Sequence, residues 1–340
     1  MPWKTSWSYA QRGTNFTFWE QTSFIYTFRN NLHGTGCRLK YSNWYGKAVC
    51  EVSSVKLTMG KKAYVMRRDG KEAFFVSNEA DCYSDCLYVD IEPCEVKVEM
   101  KFASSKRPES GNTFRPGIVM ILQSLEVFCE EQVHVAALFG DSITHWGNWS
   151  KPLIDRMYRL YPGKLAVFEV AINGSRLLNG SPSGQLDCLG YNGQLRFEHD
   201  VLELEGISVC VFAMGLNDLA LPEEEGNRPL TFDTYTACAS ELIRKAHEKG
   251  VRIIGLTICP RVIDQDYTEA RNELRKKINY WIMKQAPFDR CIDVAKLVTN
   301  ETDTELDRRF DCGDGVHINE AAGETIAEAF ENDIFNNLIT

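Results

Sequence analysis

The stretch VAALFGDSITHWGNW, residues 135–149, decides how the chain is read. An apolar run ends at Phe139 in glycine, aspartate and serine, and a histidine and two tryptophans follow at once. A buried strand that opens onto a serine in a tight turn holds a hydroxyl at the edge of a sheet. Gly-Asp-Ser is also ordinary turn composition, so the tripeptide decides nothing alone. A chemical reading needs a base, oxyanion donors and a consistent geometry from the rest of the chain.

After Gln132 apolar strands alternate with helical segments. The strands are VAALFG, LAVFEVAI, VCVFAMG, VRIIGLTI and RCIDVAKLV. Between the last three lie TYTACASELIRKAHEKG, ending at Gly250 as a helix C-terminus should, and TEARNELRKKINYWIMKQ. Ile326, Phe330, Ile334 and Leu338 recur every four residues as one apolar stripe of a last helix. Five short strands with helices between them predict a three-layer α/β/α domain around a five-stranded parallel sheet. Before residue 130 the rhythm is different. VKVEMKF alternates apolar and charged residues with a period of two, and CRLKYSN, VSSVKLTM, CLYVDI and GIVMILQSLEVF are further β-rich runs. That half reads as an all-β sandwich. The expected division is a sandwich over residues 1–130 and an α/β domain over 131–340.

Composition narrows the function. The 340 residues are 44% hydrophobic and 25% charged, the profile of an ordinary globular protein. A net charge of −9 without basic runs argues against nucleic acid as a partner. No apolar segment has the length of a membrane span, and the first twenty residues carry neither an apolar leader core nor a small-residue cleavage site. The 12 cysteines lack the paired spacing of a zinc site, and Cys210 and Cys259 lie inside apolar runs, so they read as free thiols. The expected location is a reducing cytoplasm, with no membrane partner; oligomeric state is open.

In open parallel sheets, ligands bind beyond the carboxyl ends of the strands. GDSITHW follows the first strand, AINGSR the second, MGLNDL the third and DGVHIN the fifth. One rim would therefore carry a hydroxyl, a close-approach glycine, a carboxamide and an acid–imidazole pair. Those are the parts acyl transfer requires. Serine is a poor nucleophile until an imidazole takes its proton, the imidazole needs an orienting acceptor, and the oxyanion needs fixed donors. Asp314 and His317, three apart in a glycine-containing turn, supply base and orienter from one short segment. The α/β-hydrolase alternative fails, because G-x-S-x-G is missing and the serine follows the first strand of its domain.

GDSITH, NGSR, GLND and DGVH resemble, in order, the four sequence blocks of the SGNH (GDSL) hydrolases. The resemblance implies a flavodoxin-like hydrolase domain in which Ser142 is the nucleophile, His317 the base and Asp314 its orienter. It also implies an oxyanion hole made by the N–H groups of Ser142 and Gly174 with the Asn217 amide, and a structural Asp141. TFRNNLHGTGCRLKYSNWYGKAVCEVSSVKL is similar to the jelly-roll-like sandwich that precedes the hydrolase domain in bacterial GDSL esterases linked to xylan breakdown. The function so implied is a serine carbohydrate esterase that removes short acyl groups, acetyl foremost, from an oligosaccharide through an acyl-enzyme. It calls for no metal and no organic cofactor. Two rivals are a lysophospholipase or thioesterase acting on lipid esters, and a carbohydrate-binding protein with an inactive hydrolase half. Trp146, Trp149, Tyr191 and Arg176 are candidate substrate contacts, each with packing as its alternative role. His145 is expected at the surface.

Overall fold

A computed structural model describes residues 2–12, 23–46, 49–103, 121–129, 132–181, 188–220, 226–262 and 267–330. Its first half contains strands β1 (Trp3–Ser8), β2 (Ser23–Asn30), β3 (Cys37–Ser42), β4 (Cys50–Met59), β5 (Lys62–Met66), β6 (Phe74–Val76), β7 (Asp81–Tyr83), β8 (Cys94–Phe102) and β9 (Leu122–Phe128). They form two antiparallel sheets, β1-β9-β3-β7 and β2-β8-β4-β5, with β6 beside β4. The period-two pattern of β8 works as read: Val96, Val98, Met100 and Phe102 are buried, while Glu95 and Lys101 are exposed.

The second half runs β10 (His134–Gly140), α1 (Ser142–His145), α2 (Ser150–Leu160), β11 (Leu165–Ala171) and α3 (Gly193–Phe197), which continues into a π-turn at Glu198–Leu202. Then come β12 (Ile207–Ala213), α4 (Leu216–Ala220), α5 (Phe232–Glu248), β13 (Arg252–Leu256), α6 (Glu269–Lys284), β14 (Arg290–Ile292), α7 (Val294–Val298) and α8 (Glu320–Ala329). All five strands pair in parallel, in the order β11-β10-β12-β13-β14. This is the flavodoxin-like order, with its switch point between β10 and β12. Alternate residues of β10 face opposite layers. Ala136 and Leu138 pack with Leu153 and Met157 of α2 and Ile326 of α8, while Ala137 and Phe139 join a core shared with Leu242 of α5 and the sandwich interior. Among the described residues, no helix is long and apolar enough to cross a membrane.

Two expected strands are corrected. In CLYVDI, Leu87 and Ile91 form only isolated bridges, to Cys37 and Gly34. The ladder breaks at Ser84, whose hydroxyl accepts the Leu39 N–H in place of a strand carbonyl. RCIDVAKLV is strand only to Ile292, because the Asp293 side chain accepts from Lys296 N and starts α7. In the last helix Ile326 and Phe330 are buried, whereas Ile334 and Leu338 lie outside the described residues, as do residues 117–120 of GIVMILQSLEVF.

A buried set of charges joins the two halves. The Lys40 ammonium lies 2.8 Å from Asp81, and His199 bridges Asp81 at 3.3 Å and Asp200 at 2.8 Å. Trp44 from the sandwich stacks on the His199 ring at 4.0 Å. Asp200 in turn pairs with the fully buried Arg196 at 3.2 Å. Burial alone would push the His199 imidazole down, but the Asp200 and Asp81 carboxylates overcome this and hold it up at about 9. A folded pKa above the ordinary 6.5 stabilises the fold fully below pH 6.5, and that contribution disappears as pH rises through about 9. Stability to urea should therefore fall by on the order of 2–3 kcal/mol between neutral pH and about pH 9.5. The slope should flatten in His199→Gln; an unchanged pH dependence in that variant would mean that His199 does not carry the charge.

Candidate active site

The register of the parallel sheet places the site. Gly140 pairs with Ala171 on one side and with Ala213 on the other, so β10, β11 and β12 end level. Ser142, Gly174 and Asn217 follow those ends within a few residues, on the rim beside the switch point. Asp141 caps α1 by accepting the Ile143 N–H at 3.0 Å, which turns the chain sharply enough to leave Ser142 at the helix start. Burial pushes the Asp141 carboxyl up to about 7 against that hydrogen bond, and the neighbouring Asp218 pushes the same way. Its place is structural, as the sequence implied.

The Ser142 hydroxyl stands 2.9 Å from His317 Nε2, and His317 Nδ1 stands 2.6 Å from Asp314 Oδ2. Asp314 Oδ1 accepts the N–H groups of Val316 at 2.9 Å and His317 at 2.8 Å. Burial raises the Asp314 carboxyl, but the His317 N–H, its imidazole and the Val316 N–H outweigh burial and hold it at about 2. Asp314 is thus an anion that fixes the Nδ1–H tautomer, leaving Nε2 as the acceptor facing serine.

The loop after β11 is built to leave donors free. Gly174 has φ +73°, and a Cβ there would meet the Leu189 side chain at 2.7 Å, so both backbone and space require glycine. Asn217 donates one amide N–H to Ser175 O at 3.1 Å, and Asp218 accepts Leu177 N at 2.7 Å and Leu178 N at 2.8 Å. GLND therefore fixes the loop that carries Gly174. Among the described residues, no acceptor engages the N–H of Ser142 or of Gly174.

The four candidate contacts separate. Trp146 is 43% exposed and stacks on His317, with ring centroids 3.7 Å apart and planes 11° from parallel. Trp149 is corrected: it is 1% exposed and stacked on Phe330 in the core, so it cannot meet a substrate. Trp149 immediately precedes α2, and its indole packs inward against Phe330 at the end of α8. Arg176 is corrected likewise, being buried with its guanidinium given to the Gly180 carbonyl and its charge facing Asp218. Tyr191 lends its ring to the junction between halves, stacked on Tyr45 at 4.2 Å, while Tyr45 Oη accepts the Tyr191 N–H at 2.8 Å. His145 is partly buried and remains partly open to solvent.

Asp218 is the residue that motif reading missed. Asn-Asp after a strand looks like a turn, and nothing local shows that the carboxylate reaches forty residues back. Asp218→Asn would turn an amide N–H toward a buried backbone N–H. It should cost about 1–3 kcal/mol in chemical denaturation. A loss within about 0.5 kcal/mol would show that the loop does not depend on this acceptor.

No curated protein sequence matches the chain. Similar solved structures include a family two carbohydrate esterase from Clostridium thermocellum in complex with cellohexaose (12% identity, covering 96% of this chain and 98% of that one, TM-score 0.40). An acetyl xylan esterase from Geobacillus stearothermophilus is 19% identical over 58% of this chain and 93% of its own, with a TM-score of 0.44. A GDSL-like lipase from Bacteroides thetaiotaomicron is 18% identical over 60% of this chain and 88% of its own, also with a TM-score of 0.44. The profile of the GDSL-like Lipase/Acylhydrolase family matches residues 138–324, just over half of the chain and all four blocks. The chain belongs to the GDSL-like lipase/acylhydrolase family.

Proposed function

We propose that the protein is a serine esterase that removes short acyl groups, acetyl above all, from carbohydrate hydroxyls. The observation that carries the esterase reading is the continuous line from Asp314 through His317 to Ser142, at 2.6 and 2.9 Å. His317 Nε2 takes the serine proton as Oγ attacks the acyl carbonyl. The oxyanion is met by the Ser142 and Gly174 N–H groups and by the Asn217 amide. Collapse breaks the bond to the sugar oxygen, and the His317 imidazolium protonates that oxygen as it leaves. His317 then deprotonates water, which attacks the acyl-serine and releases the carboxylic acid. Trp146 covers one face of the imidazole throughout, keeping bulk water off that face.

One feature supports a sugar as the substrate's alcohol part. The open part of the Trp146 indole offers a flat apolar face of the kind pyranose rings pack against.

Each CH₂ buried in a fitting tunnel adds roughly 0.8 kcal/mol of binding, so a lipid esterase gains steadily from acetyl to octanoyl esters. Here activity should instead fall along acetyl, butyryl and octanoyl esters of one leaving group, and acetate should be released from acetylated xylo- or manno-oligosaccharides. Preference for octanoyl with no acetate from any sugar would establish the lipid reading instead. Asn217→Ala should lower kcat by about 10²–10³ with KM nearly unchanged, since the donor meets the oxyanion and not the resting carbonyl. A raised KM at constant kcat would make Asn217 a binding residue.

A further inference from the structure

The turn that carries the base also carries a thiol. Cys312 is exposed, and its Sγ, an Asp314 carboxylate oxygen and a His317 ring nitrogen all lie within 4.8 Å of one another. The turn is well held. Asp311 accepts the N–H groups of Gly313 at 2.8 Å and Gly315 at 3.1 Å, and Cys312 N donates to His317 O at 3.0 Å. Thiol, carboxylate and imidazole are the three ligand types that zinc uses, and together they suit a soft divalent ion better than magnesium or calcium.

We propose that Cys312, Asp314 and His317 form an inhibitory site for zinc or a similarly soft divalent cation, which switches the esterase off by claiming its base. Tetrahedral bonds of about 2.0 Å to nitrogen and oxygen and 2.3 Å to sulfur set neighbouring ligand atoms roughly 3.3–3.5 Å apart. The Asp314 oxygen must therefore open from its 2.6 Å contact with Nδ1. Cys312 gives up its proton to solvent and binds as thiolate. Nδ1 binds through its lone pair, so the imidazole proton moves by exchange with water to Nε2. That nitrogen then donates to Ser142 and can no longer take its proton. Water fills the fourth position.

The second cluster of this kind, Asp81, His199 and Glu203, does not fit a metal. The Lys40 ammonium already lies 2.8 Å from Asp81 and 3.9 Å from Glu203, so the cation there is built in.

This inference rests on the esterase reading, and the test separates the two. Wild type, Cys312→Ser and Cys86→Ser are assayed for acetyl-ester hydrolysis in a non-chelating buffer with added zinc chloride, and zinc binding is measured in parallel by equilibrium dialysis. Cys86 is the other exposed cysteine and serves as the control. Zinc should inhibit wild type and Cys86→Ser at micromolar concentration, reversibly by EDTA, while millimolar magnesium does nothing. Cys312→Ser should keep its basal turnover and need roughly tenfold more zinc or higher, as loss of a ligand demands. Dialysis should show one zinc per chain that Cys312→Ser weakens by the same factor. Equal zinc sensitivity and equal binding in wild type and Cys312→Ser would overturn the site. So would wild type that turns over normally at about 100 μM zinc. No turnover in metal-free wild type would instead overturn the esterase reading, and dialysis alone would then decide the zinc site.

Discussion

The level ending of three parallel strands is the constraint on which the site depends. Gly140, Ala171 and Ala213 lie side by side in the sheet, so the loops that follow them start from one line and meet at one place. A one-residue slip of β11 or β12 would turn each strand's core residues to the wrong layer. The alternation of Leu165 and Val167 with Ala166 and Phe168 on β11, and of Val209 and Val211 with Cys210 and Phe212 on β12, between two cores forbids such a slip. Packing of the sheet and placement of the hydroxyl, glycine and carboxamide are thus one problem with one solution. His317 comes from outside this register, on the turn before α8, and its position is secured by hydrogen bonds within that turn.

The sandwich is tied to the same structure. Lys40 and Asp81 from the first half meet His199 and Asp200 from the second, and Asp200 pairs with Arg196, whose Nη2 reaches toward the Gly140 carbonyl at 3.5 Å. Arg196 also lies over the Phe139 ring, 4.9 Å from its centroid. Breaking one partner of such a buried set leaves a charge without compensation, which costs far more than the set contributes over an apolar alternative. Tyr45 repeats the arrangement with a neutral group, holding Tyr191 through ring and backbone.

Much of this was legible in the sequence because it follows from short-range rules. Strand periodicity gave both architectures, and strand ends followed by GDS, NGS, GLND and DGVH marked the residues that converge. What escaped depends on distance in space. The sequence marks Asn217 and Asp218 alike as turn residues, yet only the fold shows Asp218 holding Leu177 and Leu178. Trp146 and Trp149 are three apart in one segment. One stacks on His317 in the open and the other is sealed against Phe330 at the end of α8. RCIDVAKLV misled for a related reason: its apolar run is continuous, but Asp293 converts strand to helix midway.

The central claim is that Ser142, activated by His317, is the nucleophile. It is tested most directly by reacting the protein with a fluorophosphonate and mapping the adduct by peptide mass. The account predicts a single adduct on Ser142, formed rapidly in wild type and slowed by orders of magnitude in His317→Ala, whose fold persists. An adduct on another residue, or labelling of Ser142 at the same rate without His317, would contradict it.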